Sequence, residues 1–224
     1  MGRTKYSEKE RKTIVATFIQ AAQKIIDEQG IEGVSIRRVS SAAGYSSATL
    51  YLYFSDVSEL TLMACVTYLE QYANELGPVI ENTTDHREVY LRAWEVFCKH
   101  AFRRPQVFKH LFFSEHASCL DDIVKEYYSI YPMELDTAPG SACSLLLTGD
   151  LRRRALKELA LYASDLGLSE EERRLNVDLA VCYLRQLLEA ACEKPVTPES
   201  ISENTAACMR AIDFLLVGAQ ASKS

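Results

Sequence analysis

Most glycines and prolines of this chain fall between stretches whose apolar residues recur every three or four positions. That punctuation constrains the fold more than any other feature. A β-rich chain turns constantly, yet 224 residues here hold only 9 Gly and 6 Pro, placed as helix stops. An all-α fold is expected. Ser7 and Glu10 form a capping box, the hydroxyl accepting a first-turn N–H while the carboxylate reaches back. Ile14, Phe18, Ala21 or Ala22, and Ile25 follow at helical spacing, and Gly30 offers a left-handed stop. Ser35 caps a short second helix over 36–43, and Gly44 breaks it. A third helix runs from Ser46 to about Tyr53. Asp56 with Glu59 opens a fourth, which Gly77-Pro78 should end near Leu76. Further helices are expected near 86–103, 106–114, 120–131 and 151–166, with a loop over 133–144. Two long helices close the chain. One starts at the Ser169–Glu172 box and reaches about Glu193; the other starts at Thr197 with Pro198 in its first turn.

Charge is unevenly spread. The net charge is -6, but residues 1–64 hold 8 Lys and Arg against 7 Asp and Glu, while 65–224 hold 17 against 24. The basic arm of Arg3, Lys5, Lys9, Arg11 and Lys12 can reach phosphates despite the overall acidity. No apolar run approaches the ~18 residues of a membrane span, and no secretion signal is apparent, so a cytoplasmic protein without a membrane partner is expected. The 7 cysteines, at 65, 98, 119, 143, 182, 192 and 208, form no CxxC pair and read as reduced thiols. Cys98, His100, His110, His116 and Cys119 lack any established metal-ligand spacing, so no metal site is expected. A Gly-rich phosphate loop, a nucleophile elbow and an HExxH motif are all absent from the sequence, so neither an enzyme nor a cofactor is expected.

The informative segment is 33–60, GVSIRRVSSAAGYSSATLYLYFSDVSEL. Two short helices joined by a tight glycine turn make a helix-turn-helix. Val39 and Ala42 or Ala43 can face inward, as can Leu50 and Phe54, which lie four apart. Small residues at the start of the third helix let it approach a duplex closely, with hydroxyls and N–H groups near phosphates. Thr49 can offer its hydroxyl to a base edge or phosphate and its methyl to thymine. Tyr51 and Tyr53 can reach the flanking backbone, although aromatics at helical spacing often serve a core instead.

The run AAGYSSATLYLYFSDVSEL closely resembles the TetR family of repressors, whose pattern is roughly A-G-V-S-x-G-T-L-Y-x-Y-F-x-x-K-x-x-L. Ala43, Gly44, Ser46, Thr49, Leu50, Tyr51, Tyr53, Phe54 and Leu60 match it, and Gly30, Gly33, Ser35, Ile36 and Val39 fit the approach to it. The resemblance covers about residues 7–65. It implies an N-terminal three-helix helix-turn-helix DNA-binding domain over 1–56 and a larger C-terminal helical ligand-binding and dimerisation domain over 57–224. Carried over by position, DNA contacts fall on Ser35, Tyr45, Ser46, Ser47, Ala48, Thr49, Tyr51, Leu52 and Tyr53. Ser47 stands where many members have Lys, and Val57 where a phosphate-contacting Lys is usual. Arg37, Arg38 and the N-terminal arm are the cations placed to compensate. The implied protein is a regulator, and by family habit a repressor, of palindromic double-stranded DNA released by a small apolar or aromatic effector. The alternative is an effector-independent DNA-organising or protein-interaction member of the same fold.

Apolar stripes on the last two helices include Val177, Val181, Leu184 and Leu188, then Ile201, Cys208, Ile212 and Leu215. Steps of three and four suit shallow helix packing, within the chain or, as the resemblance implies, in a four-helix homodimer seam. Residues 86–131 are rich in aromatics. An apolar cavity with a few polar groups suits a small ligand, and Trp94, Phe97, Phe112, His116 and Tyr128 are the candidate lining residues.

Overall fold

The computed structural model describes residues 7–131 and 150–221. Arg3, Lys5, Cys143 and the loop expected at 133–144 lie outside the described residues. Ten α-helices and no strand occur among those described. Contacts divide the chain into two compact units: 7–67 with 122–131, and 68–121 with 150–221, among the described residues.

The first unit begins with α1 (Glu8–Gln29). The Ser7–Glu10 box is formed in both directions, with the Glu10 N–H 3.3 Å from Ser7 Oγ and the Ser7 N–H 2.7 Å from Glu10 Oε2. Ile14, Phe18, Ala22 and Ile25 are buried on one stripe, as their spacing requires. Gly30 ends the helix with φ 74°. A single 3₁₀ turn, Ile31–Gly33, leads to α2 (Ile36–Ala43). Gly33 lies so close to α1 that an added Cβ would sit 2.8 Å from Gln29 Cβ. Gly44 takes φ 73° and ψ 23° and gives its N–H to the Ser40 and Ser41 carbonyls, so the break expected there is a left-handed cap.

The third helix is shorter than its pattern suggests. Helix α3 covers only Ser47–Leu50. The Leu52 and Tyr53 N–H groups bond the carbonyls three residues back, on Thr49 and Leu50, so the chain tightens into a turn before Phe54. Phe54 meets Phe18 edge-on at 6.2 Å, closing the small core.

Helix α4 (Val57–Asn82) is longer than expected. Asp56 Oδ1 accepts the Glu59 N–H at 2.8 Å, but the Glu59 carboxylate binds the N–H and hydroxyl of Ser55, one residue before a strict capping box. Gly77-Pro78 does not stop it. Proline removes one ladder donor, and a helix with a turn still to run can continue past it. The Asn82 side-chain amide then donates to the Pro78 carbonyl at 2.7 Å.

The second unit holds α5 (His86–Arg103) and α6 (Pro105–Phe113), with Pro105 opening rather than preceding the latter. Helix α7 (Leu120–Ile130) follows and passes into the first unit, where Tyr131 Oη donates to the Ala16 carbonyl. Helices α8 (Leu151–Leu166), α9 (Glu170–Cys192) and α10 (Pro198–Ala221) complete the second unit. Its core is aromatic: Phe97 packs against Tyr72, Trp94, Phe108 and Phe112 at centroid distances of 5.4 to 6.3 Å.

Candidate nucleic-acid interface

Residues 45–53 form one edge of the first unit, anchored from inside. Leu50 is fully buried and Phe54 nearly so. These two side chains, four apart, fix which way the rest of the segment faces. Outward, Tyr51 is 58% and Leu52 68% exposed. Ser46, Ser47 and Ala48 are also exposed, and Thr49 and Tyr53 are partly so. A short, narrow ridge of hydroxyls and small side chains is therefore offered to solvent.

Several of the expected contact groups already have local work. Ser46 Oγ accepts the Thr49 N–H at 3.1 Å and lies 2.9 Å from Thr49 Oγ1. That backbone N–H is thereby taken, while each hydroxyl, able to form more than one bond, keeps further capacity. Ser35 Oγ likewise caps α2 by accepting the Arg38 N–H. Arg38 Nη1 donates to Gln29 Oε1 at 2.9 Å and to the Gly33 carbonyl at 3.2 Å, so it braces α2 against the end of α1. Arg37 is exposed. Tyr45 leans its ring on Phe18 at 5.3 Å while remaining 37% exposed. In the basic arm, the Arg11 guanidinium lies 5.8 Å from the Tyr53 ring centre, and Lys12 Nζ donates to the Ser129 carbonyl. Spacing alone could not reveal the Arg38 and Lys12 partners, since both lie distant in sequence or across a turn.

The model for bacterial regulatory proteins of the tetR family matches residues 18–62, the segment that builds this core and its exposed edge. The head of this chain is thus similar to that of TetR-family regulators. The HTH-type nicotine-responsive transcriptional repressor HdnoR of Paenarthrobacter nicotinovorans is 29% identical over 80 residues, 36% of this chain. The match spans only 41% of that repressor's length. RolR, solved with resorcinol, superposes with a TM-score of 0.60 at 16% identity, covering 96% of this chain and 94% of RolR. FadR of Thermus thermophilus, a TetR-family repressor solved with lauroyl-CoA, gives 0.53 at 14% identity, covering 88% of this chain and 92% of FadR. These two likenesses are of fold: a helix-turn-helix head followed by a helical body.

Among the described residues, two spaces in the body bear on ligand binding. The larger is a cleft of about 360 Å³, lined by Phe112, Phe113, Arg152, Arg153, Cys182 and Arg185 among others. Its cations are paired: Arg153 with Asp121 at 2.7 Å, Arg152 with Asp178, and Arg185 with Glu189 at 2.9 Å. The smaller, about 10 Å³, lies among Tyr72, Trp94, Phe97, Leu151, Arg154 and Glu158. Burial raises the Glu158 carboxyl to about 7, against a lowering pull from Arg154. Of the expected ligand residues, Trp94 and Phe97 line the small space and Phe112 the large one. His116 and Tyr128 line neither. The His116 carbonyl holds a 3₁₀ turn by accepting the Cys119 N–H, and Tyr128 is buried in the first unit. Arg154 and Glu158 were missed because a charged pair on a helix normally reads as a solvated face.

Among the described residues, no three His, Cys, Asp or Glu side chains gather as metal ligands. His100 Nε2 instead lies 2.7 Å from Glu75 Oε2. The Cys98 thiol is pushed up by its hydrogen bond with Cys208 and by burial. No described helix is long and apolar enough to cross a membrane.

The residues expected at a dimer seam are mostly covered within the chain. Val177, Val181, Leu184, Leu188, Cys208 and Ile212 are buried by the chain's own helices, and Ile201 and Leu215 are half-buried. Periodicity marks apolar stripes without saying what covers them, and this stripe is covered within one protomer. On these two helices the large apolar side chains left exposed, among the described residues, are Leu175 and Leu179 on α9 and Phe214 and Val217 on α10. Asn176 Nδ2 donates to the Leu215 carbonyl at 3.2 Å, which sets these four at the same end of the helix pair.

Proposed function

We propose that this protein is a cytoplasmic transcriptional repressor that binds a palindromic operator as a homodimer and is released by a small effector held in the body. One observation carries the DNA reading: Tyr51, Leu52 and the serines before them are exposed on a segment locked in place by buried Leu50 and Phe54. A rigid anchor with a polar, narrow outer edge suits entry into a major groove. Thr49 and Tyr51 supply hydroxyls to bases and backbone, and Arg37 with the basic arm supplies charge. Two copies, joined through the exposed Leu175, Leu179, Phe214 and Val217, read two half-sites. Induction then requires an effector that binds a DNA-incompetent spacing of the heads more tightly than the competent one. Ligands in RolR and FadR, and the nicotine response of HdnoR, support effector control.

The nearly filled aromatic interior favours a second reading, a DNA-binding relative without an effector. Operator selection from a random DNA pool tests the first part. Selected sites should be two-fold symmetric. Thr49→Ala and Tyr51→Phe should each weaken binding by about 1 kcal/mol, roughly fivefold, with unchanged thermal melting. The salt slope should be shallower than that of a protein neutralising ~6–10 phosphates, because positions 47 and 57 carry Ser and Val. Parent-like binding by both variants would remove the contact assignment. Selected DNA that no small molecule releases would leave the second reading standing.

A further inference from the structure

Arg154 is only 4% exposed, and its guanidinium faces three rings: Tyr72 at 5.3 Å, and Phe97 and Phe112 at 5.6 Å each. Among the described residues, Arg154 Nη2 is buried with no hydrogen-bond partner, and so is Glu158 Oε1. The two residues are one turn apart on α8 and line the same small space. Leaving a buried donor or acceptor unpaired is expensive, more so when the group is charged, and native proteins seldom tolerate it without a partner from outside the chain. About 10 Å³ admits one water and nothing larger as the side chains stand.

The neighbouring cleft changes what can enter. Leu151 lines both spaces, and Phe112 covers the Arg154 guanidinium while also lining the 360 Å³ cleft. Phe112 sits next to last in α6 and is only half-buried. Rotation of that one ring would join the cleft to the polar pair. The joined space would hold flat aromatic walls, one strong donor and one acceptor, the composition of a selective small-ligand site. Each part selects. Tyr72 and Phe97 suit a ring by edge and face contact. Arg154 requires an oxygen acceptor, and Glu158 accepts a hydroxyl hydrogen. A fatty carboxylate can serve Arg154 but leaves Glu158 without a donor and brings no ring to Tyr72 and Phe97, and a cationic amine meets the guanidinium.

Resting on the effector-responsive reading above, we propose that this chamber binds a single-ring hydroxylated aromatic that enters past Phe112. One ring oxygen accepts from Arg154 Nη2, and a hydroxyl donates to Glu158 Oε1.

Trp94 is the single tryptophan of the chain and lines the chamber, so its emission reports occupancy directly. The full-length protein is titrated with resorcinol, phenol, benzoate, decanoate and nicotine. Resorcinol should give a saturable change, phenol a weaker one, and decanoate and nicotine none. Glu158→Gln and Arg154→Met should each weaken resorcinol at least about tenfold, the loss of one charge-assisted hydrogen bond. Phe112→Ala should speed association. Far-UV melting checks the fold of each variant. If Arg154→Met does not fold, the near-isosteric Glu158→Gln carries the test. No saturable response to any hydroxylated ring, a response to nicotine or decanoate alone, or equal binding by Glu158→Gln would overturn the assignment. An ordered water that persists at millimolar resorcinol would do the same. The DNA reading is separated by measuring release from the selected operator. Saturable binding without release would uphold the chamber and remove the regulatory role, while intact operator binding with a silent chamber would do the reverse.

Discussion

At the scale of single residues, the body spends its polar groups unevenly. Most ion pairs lie on the surface, such as Arg92–Glu88 and Lys99–Glu95, and contribute little. Glu158 is different because burial raises its carboxyl from the ordinary value of 4.5 to about 7. Between those values the folded protein holds a proton that the unfolded chain has shed. Stability from this group is therefore full below about pH 4.5 and lost as pH rises through about 7. A tenfold change in proton affinity is about 1.4 kcal/mol, and a partly covered carboxyl should realise about 1–3 kcal/mol across the window. Urea midpoints at pH 5 and pH 8 check this. The parent should lose more stability between them than Glu158→Gln, and equal losses would mean that Glu158 titrates normally.

At the scale of elements, most starts and stops were legible because they rest on local chemistry. The boxes at Ser7 and Ser169 form with the partners their spacing names, and Gly30, Gly44 and Gly167 end helices with positive φ. Where the reading slipped, the cause lay outside the local pattern. Pro78 removes a single bond from a 26-residue helix, too little to end it. Helix α3 tightens after Leu50, although Tyr51 and Leu52 continue a helical composition. The two head glycines now separate two causes. At Gly44 a Cβ would meet nothing within 4 Å, so Gly44→Ala carries only left-handed backbone strain, about 1–2 kcal/mol. At Gly33 a Cβ would press on Gln29 Cβ at 2.8 Å and Ile25 Cγ2 at 3.2 Å, so Gly33→Ala must push the turn away from α1, about 1–3 kcal/mol. Gly33→Ala should also perturb the Arg38 brace, which ends on the Gly33 carbonyl, and so weaken DNA binding beyond its effect on folding. Chemical denaturation with operator titration at fixed folded fraction measures both. Equal DNA affinity in the two variants would mean that the brace does not orient α2.

At the scale of the whole molecule, the candidate DNA edge was readable in the sequence while the proposed dimer face was not. The edge sits on one short segment whose anchors, Leu50 and Phe54, are four apart and whose exposed residues lie just before and between them. A face able to join two copies depends on which stripe a single chain leaves uncovered, and that is decided by helices far away in sequence. Phe214 is 76% exposed and Ile212, two residues earlier, only 1%. Phe214→Asp should therefore cost a single chain little, within about 0.5 kcal/mol, because the ring is mostly exposed among the described residues. Ile212→Asp should prevent stable folding by burying an unpaired charge. If the exposed patch joins two copies, Phe214→Asp places like charges opposite each other across a two-fold axis and should yield a folded monomer by sedimentation. Operator binding should fall by about 10²-fold or more, since the second head loses the high effective concentration that tethering gives it. Each monomer should still bind a half-site weakly, with the same dependence on Thr49 and Tyr51. A Phe214→Asp protein that stays dimeric would place the seam elsewhere on α9 and α10. One that becomes monomeric yet keeps full operator affinity would show that a single head reads the site.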